Sequence, residues 1–60
     1  MNELRSEMLG VLDTLKDGLV NRREAQFMLY DAVLNNGPIT KESAKMYDEF
    51  ENYVDEIVGN

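Results

Sequence analysis

The sequence predicts an all-α fold: a three-helix domain with two short Gly-containing turns. Three observations predict it. Apolar residues recur with helical spacing in three separate stretches. Gly18 and Gly37 fall between those stretches, and each is followed by a residue able to cap the next helix. No alternating apolar run of useful length lies outside them, so strand signals are absent. At 60 residues the chain is one domain at most.

The first helix is expected from about 2 to 17. Leu4, Met8, Val11, Leu12 and Leu15 fall at i, i+4, i+7, i+8 and i+11, on one face. Gly10 weakens its middle by ~1 kcal/mol relative to Ala. Gly18 is placed to end it in a left-handed conformation. The second helix is expected from about 22 to 36. Asn21 is its N-cap, and Glu24 three residues on completes a capping-box pattern. Ala25, Met28, Leu29, Ala32 and Val33 form its core face, and Asn35-Asn36-Gly37-Pro38 stops it. The third helix is expected from about 41 to 58, capped by Thr40. Its apolar stripe is Tyr47, Phe50, Val54 and Ile57, widened by Met46, Tyr53 and Val58.

A short internal repeat supports these boundaries. Gly18-Leu19-Val20-Asn21-Arg22-Arg23-Glu24-Ala25 matches Gly37-Pro38-Ile39-Thr40-Lys41-Glu42-Ser43-Ala44 in its glycine, β-branched residue, cap, basic residue and Ala. One connector is used twice: glycine ends a helix, the β-branched residue tucks under the turn, and a polar side chain caps the next helix. Such connectors are expected to join helices at a large angle.

Composition bounds the chemistry. A chain this short buries only about 60% of the surface its unfolded form exposes, so its stability is marginal. Without cysteine it has no disulfide, thiolate-zinc site or thiol nucleophile. Without histidine it lacks the commonest general base and transition-metal ligand. Well-packed helices or self-association remain as sources of stability. Twelve acidic and six basic residues give a net charge of −6, which opposes binding to a phosphate backbone and favours a basic partner. The first seven residues mix charges and lead into no apolar run, so no signal peptide is read there. No stretch approaches the ~20 apolar residues of a membrane span. The expectation is a cytoplasmic protein that does not engage a membrane.

Two motifs need weighing. Asp13, Asp17, Gly18, Val20, Asn21 and Glu24 occupy positions 1, 5, 6, 8, 9 and 12 of an EF-hand pattern, but position 3 is Leu15, which belongs to the first helix's core face. A helix, a glycine stop and an N-cap explain the segment better, and no metal or cofactor is expected. The run Met28 to Ala44, centred on Asn36-Gly37-Pro38-Ile39-Thr40, resembles the first half of a winged helix-turn-helix. That resemblance covers under a third of the chain and implies a nucleic-acid-binding topology. The family then needs a turn and a recognition helix bearing Arg, Lys, Asn or Gln. Here the chain continues as one helix whose outer arc is carboxylate, so no DNA-contacting residue carries over.

Two surfaces remain as candidate contacts. On the third helix, Asp48, Glu49, Glu51, Asp55 and Glu56 place five carboxylates within nine residues, offset nearby only by Lys45. Such an arc is either a solvated face or a contact for a basic groove, including a nucleic-acid-binding site that carboxylates occupy in place of phosphates. On the second helix, Arg23, Phe27, Tyr30 and Leu34 line up at i, i+4, i+7 and i+11, away from the core face. That stripe is either a second core face, with the helix sandwiched between the other two, or an exposed aromatic patch of the composition favoured at interfaces. Paired carboxylates also invite a catalytic reading, but catalysis needs them converging in a concave pocket, and three short helices offer little concavity.

The functional expectation is a small, acidic, non-enzymatic regulator or inhibitor that binds another protein, in the style of bacterial or phage accessory proteins. Its partner-binding residues would be Arg23, Phe27, Tyr30, Leu34, Asp48, Glu49, Glu51, Asp55 and Glu56. The alternatives are a helix-turn-helix-like nucleic-acid binder and a homodimeric structural module.

Overall fold

In a computed structural model that describes residues 3–59, the chain forms α1 (Glu3–Lys16), α2 (Arg22–Asn35) and α3 (Lys41–Gly59), with no strand among the described residues. The boundaries fall within a residue of those read from the sequence, except that the expected start at Asn2 lies outside the described residues.

Helices α1 and α2 each stop for a local reason. Gly18 takes φ +77°, which only glycine adopts without strain. Its N–H donates to the Leu15 carbonyl at 3.0 Å, and the Leu19 N–H donates to the Thr14 carbonyl at 3.1 Å. Those two bonds make a Schellman motif, which satisfies carbonyls the helix end leaves open. Gly37 has φ +111° after α2, and the Asn36 side chain donates back to the Ala32 carbonyl at 2.7 Å.

The two helix starts repeat each other bond for bond. The Glu24 N–H donates to Asn21 Oδ1 at 2.8 Å, and the Asn21 N–H donates to Glu24 Oε1 at 2.9 Å. At α3 the Ser43 N–H donates to Thr40 Oγ1 at 3.1 Å, and the Thr40 N–H donates to Ser43 Oγ at 2.8 Å. Both are reciprocal capping boxes, with Ser43 in the role of Glu24. The repeat is one of capping and not of packing. Val20 packs against the core, whereas Ile39 is 55% exposed and does not tuck under its turn. Likewise Ala25 is fully buried and Ala44 is exposed.

The helices run up, down and up. Arg22, at the start of α2, pairs with Asp55 near the end of α3, and Tyr30 meets Tyr47 midway. At the other end Leu4 of α1, Val33 of α2 and Met46 of α3 line one cleft. The connectors therefore act as hairpins between antiparallel neighbours, not as the large-angle corners the repeat suggested. The core is wholly apolar among the described residues: five positions of α1 (Leu4, Met8, Val11, Leu12, Leu15), Ala25, Leu29, Ala32 and Val33 of α2, and Phe50 and Val54 of α3. Met28, Met46, Tyr47, Tyr53 and Ile57 pack around its rim, while Val58, expected to widen the α3 stripe, is exposed. Burial of each large side chain contributes about 1.5–3 kcal/mol, and Phe50, Met8, Leu29 and Val54 reach full burial.

Candidate functional site: an aromatic stripe beside an acidic edge

The outer face of α2 is not core. Phe27 is 62% exposed, and Tyr30 and Leu34 are each 49% exposed. The reason is geometric. Successive stripe residues lie within about 60° of one another around α2, and the stripe sits opposite Leu29, which fills the core. The other two helices cover one side of α2 and leave the other open. Arg23 lies at the start of this stripe, exposed, and makes no ion pair with any described residue.

The carboxylates of α3 divide into two edges. Asp48, Glu51 and Asp55 follow one another at i, i+3 and i+7 on the side toward α2. Asp55 pairs with Arg22 of α2 at 2.6 Å, and both side chains are about half exposed. Glu51 lies beside the Tyr47 phenol. Burial, and then Glu51, push the Tyr47 pKa above its ordinary value, because both oppose a phenolate there. Tyr47 in turn meets Tyr30 edge-on, with ring centroids 6.3 Å apart and planes at 72°. The α2 stripe and this acidic edge are therefore one continuous surface, joined through Tyr47.

The other edge belongs to the α1 side. Glu49 accepts a hydrogen bond from the Tyr53 hydroxyl at 2.8 Å and lies 4.0 Å from the Arg5 guanidinium. Arg5 also sits 5.5 Å from the centre of the Phe50 ring, the range of a cation–π contact. The bond to Glu49 raises the Tyr53 pKa. Glu56 lies one helical turn from Asn52 and Tyr53, on the same edge as Glu49. Of the nine residues read as contacts, seven thus share the α2–α3 surface, and Glu49 and Glu56 face elsewhere.

Sequence reasoning assigned Tyr47 to the core stripe and so missed its bridging position. The signal was present in the i, i+4 spacing of Tyr47 and Glu51. It also passed over Leu19, which at 74% exposure is the most exposed large apolar residue described. The EF-hand spacing is accounted for by capping: Leu15 is buried, and Asn21 and Glu24 spend their oxygens on each other's backbone. Among the described residues no group of three or more acidic side chains converges to hold a metal ion, and no helix is long and apolar enough to cross a membrane. An open cleft of about 800 Å³ has Glu3, Glu42 and Met46 in its lining and sits at the opposite end from the Arg22–Asp55 pair.

No family model, curated protein or solved structure matches this chain. Its function must therefore be argued from the chemistry of its own surface.

Proposed function

We propose that the protein is a small, non-enzymatic regulator or inhibitor that works by binding another protein. The observation that carries this reading is the exposed stripe of Phe27, Tyr30 and Leu34 adjoining the Asp48, Glu51 and Asp55 edge. Aromatic side chains with an arginine at the margin supply desolvation energy at an interface. The carboxylate edge supplies steering and register toward a basic surface. That combination fits a partner whose own ligand is anionic, including a nucleic-acid-binding protein whose basic groove the carboxylates fill. Its setting would be the cytoplasm, in the manner of bacterial or phage accessory proteins.

The acidity favours a protein partner over nucleic acid. The α3 helix carries Glu42, Asp48, Glu49, Glu51, Asp55 and Glu56 against Lys41 and Lys45, and runs unbroken to Gly59. A helix offered to a phosphate backbone would gain from the reverse balance.

The test compares capture from a bacterial lysate by the wild type, by Phe27→Ala, and by the combined Asp48→Asn, Glu51→Gln and Asp55→Asn variant. The reading expects one captured protein, weakened by either variant and by raising salt. An electrophoretic shift on mixed DNA at low salt accompanies it. A shift by the wild type, or capture indifferent to both variants, would replace this reading.

A further inference from the structure

We infer that the outer face of α2 binds a second copy of this chain, antiparallel, with a two-fold axis passing beside Phe27. The inference rests on reading that face as a contact, and it names the occupant. The acidic edge of α3 stays open, so the basic partner binds the dimer, and losing the dimer at Phe27 weakens its capture as well.

Charge is the first argument. The chain's net −6 is unevenly placed. On α2, Arg22 and Arg23 balance Glu24 and Asp31, so this helix is neutral. The repulsion between copies is concentrated on α3 and spares α2. A uniformly basic partner would meet Arg23 at the start of this face, whereas a second copy offers Asp31 to it; Arg22 is held by Asp55.

Position is the second argument. Arg23 and Asp31 lie four residues either side of Phe27, so each is about 6 Å along the axis and about 40° around it, in opposite senses. A two-fold axis lying in the interface beside Phe27 brings position 31 of one copy level with position 23 of the other. It sets Arg23 of each copy opposite Asp31 of the other, and an isologous interface makes that pair twice. Neither residue makes an ion pair with a described residue within its own chain.

Apolar exposure is the third argument. The same axis lays Leu34 of each copy along the first turn of α2 in the other, next to which Leu19 is exposed. Leu19 follows the glycine of a Schellman motif, a position whose side chain usually folds back onto its own helix. Here it is 74% exposed instead. Phe27 meets its own symmetry mate, the arrangement in which exposed aromatic rings stack.

Size sets the strength. A standard interface covers about 800 Å² per partner, which is about a fifth of this chain's 4257 Å². A single helix face gives less, so the dimer should be weak, with a dissociation constant of roughly micromolar order.

The experiment is sedimentation equilibrium of the full chain across a concentration series, with helicity checked by circular dichroism. The monomer is 6.9 kDa, and the wild type should reach twice that mass. Phe27→Glu should remain monomeric and folded, since the side chain is exposed in the monomer. Arg23→Asp and Asp31→Arg should each weaken the dimer about tenfold or more, because each sets like charges opposite one another twice. The double swap should restore it. A wild type that stays monomeric to millimolar concentration overturns the inference. So does a dimer indifferent to Phe27→Glu, or single reversals the double swap fails to rescue. If the wild type is monomeric but loses a basic partner on Phe27→Ala, the inference fails while the protein-binding reading stands.

Discussion

Gly10 sits in the middle of α1 with nothing within 4 Å of the place a Cβ would occupy. It costs the helix propensity and gains no close packing inside the chain. Gly10→Ala should therefore stabilise the fold by about 1 kcal/mol, raising the melting temperature by roughly 4–8 °C. Gly18→Ala should do the reverse by about 1 kcal/mol or more, because φ +77° is strained for any residue with a Cβ. Thermal melts followed at 222 nm separate the two. Tyr47 and Tyr53 set an alkaline limit. Burial and Glu51 raise the first, and the hydrogen bond to Glu49 raises the second. The folded chain holds these phenolic protons more tightly than the unfolded chain. Their contribution is complete below the ordinary phenol value and is lost as pH rises through the raised folded values. The melting temperature should fall as pH rises past the ordinary phenol value of about 10, and Tyr47→Phe with Tyr53→Phe should flatten that decline. Features at this scale were legible in the sequence where they are local. Capping boxes and the left-handed glycine involve residues within five positions of one another, so spacing alone implies them.

Helices α1 and α2 present opposite cases. Every apolar position on α1's predicted face is buried, because the other two helices cover that one face. On α2 the core face packs as its period predicts, with Met28 only half-buried, and the second apolar stripe stays in solvent. Period identifies an apolar face but does not say whether a neighbour covers it. The contrast between Phe50 and Phe27 tests this. Phe50 is fully buried, and Phe50→Ala should cost about 3–5 kcal/mol. That rivals the total stability of a domain this small, at ~0.05–0.15 kcal/mol per residue. Phe27→Ala should change monomer stability by about 0.5 kcal/mol or less. Denaturant melts at a concentration low enough to hold the chain monomeric make the comparison. A loss of several kcal/mol at Phe27 would place that ring in the interior.

Across the whole molecule, extents of 31 × 19 × 16 Å describe a short bundle, and the outer face of α2 stays in solvent. Its charge is segregated: α2 is balanced and α3 carries the acidity. The sequence by itself determined the three helices, their ends, their capping and the apolar core faces. These follow from interactions between near neighbours and from the helical period, which any sufficiently regular stretch declares. Only the tertiary structure decided which apolar stripe is covered, that the connectors fold back as hairpins, and that Tyr47 joins the α2 stripe to one acidic edge and not the other. Those outcomes depend on how far each helix rotates about its own axis when the three pack. A rotation of about 60° would have exchanged rim for core without altering any local signal.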